Sequence, residues 1–171
     1  MTTQAMKRAD VEVFQVSIKA TPQAIWDAIT TPEWNRRYGY QSPSEYELRP
    51  GGTFRTQSTA EMREHGGPDV IIDGEVIESD PPRKLVQTWR PLWDPESMAE
   101  GAKRLTWEII ADNDGVCTLT VTHELANAPK TRYMVTGKDP NAGGGWPFVL
   151  EDLKRLLETG KPNGTGAGQQ A

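Results

Sequence analysis

The sequence predicts an α+β domain in which an antiparallel sheet carries its helices on one face and one long helix closes the chain. Three observations predict it. An alternating segment, VEVFQVSI at 11–18, is followed by two capped helical stretches. A run of short strand candidates separated by turn residues then fills the middle of the chain. Finally, GGGWPFVLEDLKRLLETG has an apolar stripe at helical spacing. Strand, two short helices, several strands and a last helix, in that order, fit helices segregated to one side of a sheet.

Within Val11 to Ile18, Phe14, Val16 and Ile18 share one face, and Val13, Gln15 and Ser17 share the other. Thr21-Pro22 is a cap followed by a first-turn proline, and Ala24, Ile25, Ala28 and Ile29 recur at helical spacing, so a helix runs to about Thr30. The next stretch, TPEWNRRYG, reopens with Thr31 as a cap, pairs Trp34 with Tyr38 on one helix face, and stops at Gly39. Ser44 to Arg49 and Thr53 to Thr59 flank the turn Pro50-Gly51-Gly52 and read as a hairpin. AEMREHGGPD reads as a polar loop. Val70 to Ser79 is a strand stopped by Asp80-Pro81-Pro82, because proline cannot donate to a ladder. Lys84 to Arg90 is the next, with Leu85, Gln87 and Trp89 on one face, and a loop rich in proline and acidic residues follows it.

Lys103 to Ala111 and Val116 to Glu124 flank Asp112-Asn113-Asp114-Gly115, a strong hairpin signal, and parity sets Leu105, Trp107 and Ile109 against Leu119, Val121 and His123. From Ala126 to Gly145 the chain reads as irregular, a candidate lid or rim. In the last helix Trp146, Val149, Leu150, Leu153, Leu156 and Leu157 form the apolar stripe, Asp152 falls on the polar side with Glu151 and Lys154, and Gly160 ends it. Residues 1–10 are expected to be disordered or extended, 11–160 to form the domain, and 161–171 to be a disordered tail.

The chain has 171 residues, enough for one core, and its 24 acidic and 19 basic residues are interspersed to a net charge of −5. No basic block speaks for nucleic acid, and no run approaches the ~20 apolar residues of a membrane span, so a cytoplasmic protein with no nucleic-acid or membrane partner is expected. Cys117 is the only cysteine, and His65 and His123 are the only histidines. Neither an intramolecular disulfide nor a thiolate-rich metal site is available, and no metal or other cofactor is implied. A homodimer is compatible with the sequence.

Read in order, IKATPQAIWDAITTPE, GEVIESDPPRKLVQTWRP, RLTWEII with LTVTHE, and the closing GGGWPFVLEDLKRLLETG resemble the activator of heat-shock protein 90 ATPase homologue family, of the START-like superfamily with its helix-grip fold. The resemblance implies a bent sheet gripping the last helix over a cavity that in relatives holds hydrophobic or aromatic small molecules. It carries no universal catalytic motif. It also implies a more polar or roomier pocket, because Gln87 stands where relatives often have an aromatic residue.

A hydrophobic or aromatic small molecule is therefore the expected partner. Trp89, Trp107 and Trp146, on apolar faces, are either ordinary core or ligand-lining indoles. Phe54 joins them by strand parity and Leu150 by its place on the helix stripe, while Trp34 and Tyr38 would lie near the mouth and Trp93 on a rim or partner surface. Gln87 and His123 would orient the ligand. His123 is either a hydrogen-bonded core histidine or the acid/base of a cyclase, dehydratase or hydrolase, and it is the sole catalytic candidate. A co-chaperone-like interaction module is the remaining alternative. Gly143-Gly144-Gly145 lacks the strand and lysine of a nucleotide loop and reads as a flexible or close-packed entry to the helix.

Overall fold

The computed structural model describes residues 10–161. Thirteen elements follow in order: β1 Val11–Ile18, α1 Pro22–Thr30, α2 Pro32–Asn35, β2 Ser44–Tyr46, β3 Thr53–Gln57, α3 Ala60–Glu64, β4 Val70–Asp80, β5 Lys84–Pro91, α4 Pro95–Glu100, β6 Lys103–Ala111, β7 Cys117–Glu124, α5 Pro129–Val135 and α6 Gly145–Thr159. The seven strands form one antiparallel sheet in the order β1-β7-β6-β5-β4-β3-β2. β1 therefore pairs with the last strand, and α1 and α2 carry the chain to the far edge. The expected tails fall outside the described residues, apart from Asp10 and Lys161 at their inner ends.

Register follows the hydrophobic alternation, since a one-residue slip would turn every buried side chain outward. Leu105 lies opposite His123, Trp107 opposite Val121 and Ile109 opposite Leu119. The sheet bends where its ladder breaks, between Thr56 and Gln57 and between Val76 and Glu78. An extra residue on one strand kinks it and sharpens the local twist. Gly74 lies beside the second break, where a Cβ would sit 2.0 Å from the Thr88 carbonyl oxygen, so only glycine allows β4 and β5 to approach so closely.

The concave face is covered by α6, which packs on β1, α1 and α5. Leu150, Leu153 and Leu156 enter the core with Leu119 and Val121. At the other end of α6, Glu158 accepts from the Lys19 backbone N–H at 2.8 Å. Asp152, expected on the solvated side, is instead buried and accepts from Gly39 N–H at 2.7 Å, because the chain after α2 folds over it.

Three local expectations change. The second helix stops at Asn35, leaving Tyr38 outside it. Thr31 already ends α1 by donating its backbone N–H to Asp27, and its side chain caps nothing. Tyr38 is pulled inward by donating its hydroxyl to the Ala28 carbonyl at 2.8 Å. Each segment read as a loop contains a short helix, α3, α4 or α5. Thr59 caps α3 and Asp94 caps α4 with their side chains, whereas α5 is closed by Glu100 from α4, which accepts from the Lys130 and Thr131 N–H groups at 2.8 Å each. A cap supplied from another element leaves no local sequence signature. The Thr21 cap is local: its Oγ1 accepts from Ala24 N–H at 3.1 Å. Thr21→Ala is expected to cost about 1 kcal/mol in a urea titration. A change below a few tenths would mean that this end of α1 is held by packing alone.

Candidate functional site

A cavity of about 620 Å³ lies between the concave face of the sheet, α6 and the loops beside them. Pockets of roughly 300–1,000 Å³ accommodate small organic molecules. Phe54, Ile71, Trp89, Trp107 and Trp146 line its wall and are each buried, whereas Tyr40, Gln41, Pro68, Trp93 and Asn141 line it from exposed positions. These exposed residues mark its mouth. Each wall residue owes its place to register: Phe54 and Thr56 point inward from β3, Trp89 and Trp107 from adjacent strands, and Trp146 from the first turn of α6.

The polar groups near this wall bond mainly to one another. Gln87 Oε1 accepts from Trp107 Nε1–H at 2.9 Å and from the Tyr46 hydroxyl at 2.8 Å. The Trp146 Nε1–H donates to His123 Nδ1 at 3.1 Å. Asn35 donates to the Ala28 and Ile29 carbonyls and accepts from Ser44 N–H, while Ser44 and Thr56 share a hydroxyl bond of 2.8 Å. Burial pushes the Tyr38 and Tyr46 phenols well above their ordinary range, so both stay protonated donors.

His123 is fully buried, and loss of hydration pushes its pKa down to about 3. It is therefore neutral at pH 7. Because Nδ1 accepts from Trp146, the ring proton resides on Nε2, which has no hydrogen-bond partner among the described residues; the Trp89 ring lies nearly perpendicular at 5.1 Å. Glu12 stands opposite on β1, but its carboxylate is taken by Arg132 at 2.9 Å.

At the mouth, the Tyr40 hydroxyl donates to the Ala142 carbonyl at 3.0 Å and accepts from Gly145 N–H at 2.9 Å, joining the loop after α2 to the entry of α6. That entry is close-packed: a Cβ on Gly145, whose φ is +67°, would lie 2.2 Å from the Val135 carbonyl oxygen. Lys130 Nζ lies 3.8 Å from both Asp94 and Glu96.

Of the residues singled out in the sequence, Tyr38, Phe54, Trp89, Trp107 and Trp146 line the cavity together. Gln87 and His123 sit behind that lining, bonded to two of its indoles, and Leu150 is in the core one turn further along α6. Trp34 does not line it; its ring is half-buried, with the Arg37 guanidinium 4.6 Å from its centre. Arg90, at the end of β5, is held by Asp73 through two bonds of 3.0 Å. Sequence reasoning missed Tyr40, Tyr46 and Met134 as lining, because they lie in a loop, a three-residue strand and a helix read as irregular. Trp93, set aside as rim or partner surface, also lines the cavity.

Among the described residues no group of three or more His, Cys, Asp or Glu could hold a metal ion, and no helix is long and apolar enough to cross a membrane. The family model described as Activator of Hsp90 ATPase homolog 1-like protein matches residues 19–158. No curated protein matches the chain. Among solved structures, MLL2253 from Mesorhizobium loti is 21% identical with a TM-score of 0.64, over 86% of this chain and 96% of that one. CalU16 from Micromonospora echinospora is 18% identical with a TM-score of 0.64, over 98% and 78% respectively. The Aha1 dimer from Colwellia psychrerythraea gives 18% and 0.63, over 88% and 98%. At such identities the likeness is one of fold.

Proposed function

Because the chain belongs to the family of Activator of Hsp90 ATPase homolog 1-like proteins, whose fold is shared by proteins of different activities, we propose its function from the cavity: it binds a hydrophobic or aromatic small molecule between sheet and last helix. The observation that carries this reading is an apolar space of about 620 Å³ bounded by Phe54 and several indoles. Contact with such walls supplies roughly 25 cal/mol per Å² of apolar surface removed from water. Gln87 and His123 act as positioning residues, fixing the Trp107 and Trp146 rings through their N–H groups.

An acid/base role for His123 gains no support from its surroundings. One ring nitrogen is engaged with Trp146, the other is buried, and a pKa of about 3 leaves a weak base. Binding without turnover is the reading the geometry favours.

Thermal shift against a panel of aromatic and polyketide-like compounds tests it. At ten times its Kd a ligand is expected to add about 1.4 kcal/mol of stability. Ile72→Trp, which places an indole where a half-buried isoleucine now lines the cavity, should abolish that gain while the protein stays folded. Saturable stabilisation by no compound, or stabilisation that survives the filled cavity, would overturn the proposal.

A further inference from the structure

Four of the six tryptophans, Trp89, Trp93, Trp107 and Trp146, line this one cavity. Trp89 and Trp93 meet at 86° with centroids 6.4 Å apart, Trp107 and Trp146 at 90° and 5.3 Å, and Trp89 and Trp146 at 51° and 6.1 Å. Neighbouring rings at such angles lie in different planes, so the aromatic part of the wall is not a single flat surface.

Two further features set the sign of the field. The indole N–H groups of Trp107 and Trp146, which would repel a cation, are spent on Gln87 and His123 behind the lining. Asp94 and Asp139 line the cavity, and Lys130, the only cation lining it among the described residues, is flanked by Asp94 and Glu96 at 3.8 Å. The mouth is thus net acidic, on a chain of net charge −5.

We infer that the ligand is an amphipathic organic cation, a tertiary or quaternary ammonium on an apolar body, with its charge against the tryptophan faces. The inference rests on the cavity being a small-molecule site, as proposed above. An aromatic face carries negative quadrupolar charge and attracts a cation that sheds its water easily. A primary ammonium needs oxygen acceptors for its three N–H groups, and beside the indole wall the Asn35 and Gln87 side-chain oxygens already accept from Ser44, Tyr46 and Trp107, which leaves the Asp94 and Asp139 carboxylates among the acceptors it would have to reach. An alkylated ammonium makes no such demand. Among the described residues an anionic group would find no unpaired cation in the lining.

The test uses the full chain and three benzyl compounds of similar size: benzyltrimethylammonium, its uncharged isostere neopentylbenzene, and the slightly smaller phenylacetate, with binding read by calorimetry and tryptophan fluorescence. The ammonium is expected to bind about tenfold more tightly than the hydrocarbon, and phenylacetate most weakly. Trp93→Leu changes an exposed ring, so folding should be preserved, and it should cost the ammonium several-fold more affinity than it costs the hydrocarbon. Asp139→Asn keeps an oxygen for the Asn141 N–H and should weaken only the ammonium. Equal binding of ammonium and hydrocarbon, tightest binding by phenylacetate, or an equal loss of both ligands in Trp93→Leu would overturn the inference and leave the cavity reading standing. If none of the three compounds binds, both fall.

Discussion

Acidification from pH 6.5 to pH 3 is expected to cost this fold about 4–5 kcal/mol through His123 alone. In the unfolded chain an imidazole takes up a proton near pH 6.5. In the native state burial holds the same ring neutral down to about pH 3. The folded value lies below the unfolded one, so the stabilisation is complete above pH 6.5 and is lost as pH falls, at about 1.4 kcal/mol per pH unit. Glu47, Asp94 and Glu158 also have lowered pKa values, held down chiefly by hydrogen bonds from Thr53, Ser97 and Lys19 respectively. They are lost as pH falls below the ordinary carboxylate range of about 4. The interval from pH 6.5 to 5 therefore isolates the histidine. Urea midpoints at pH 7, 6 and 5 should fall steadily in the wild type and stay level in His123→Gln, whose amide can still accept from Trp146. A wild-type midpoint that does not move over this interval, or a slope that persists in the variant, would show that the ring is solvated.

The sequence carried the sheet almost entirely, because alternation reports burial directly. The ladder pairing Leu105, Trp107 and Ile109 with His123, Val121 and Leu119 follows from the hairpin signal at Asp114-Gly115 and parity alone. What it could not carry were contacts closed by distant residues. Glu100 caps α5 from another element, Tyr40 reaches across to Gly145, and Gly39 buries Asp152 against the helix. None of these leaves a periodic trace. The same limit shaped the site. Inward-facing aromatics were legible from strand parity, but parity cannot separate a residue that lines a void from one that stands behind the lining. Gln87 shares a face with Trp89, yet its carbonyl is taken by Trp107 and Tyr46 and it is wholly buried. The reading that its presence makes the pocket more polar gives way to one in which it orients an apolar wall.

Gln87→Met is accordingly expected to destabilise the protein by about 2–5 kcal/mol, far more than a volume-conserving change costs in an apolar core. Methionine fills the space but removes one oxygen that serves two donors, leaving the Trp107 N–H and the Tyr46 hydroxyl without it. Burial raises the pKa of the Tyr46 phenol and the Trp107 indole is buried as well, so the two donors share the penalty. The sharing is measurable. In the background of Tyr46→Phe, which removes one of the two donors beforehand, Gln87→Met should cost less than it does in the wild type, with a coupling of about 0.5–3 kcal/mol. Freed from its acceptor, the Trp107 ring no longer has a fixed orientation on the cavity wall, and ligand affinity should fall along with stability. A Gln87→Met protein within 0.5 kcal/mol of wild type, a threshold typical of neutral surface changes, would mean that the glutamine does not hold the indole and that wall geometry is set by packing alone.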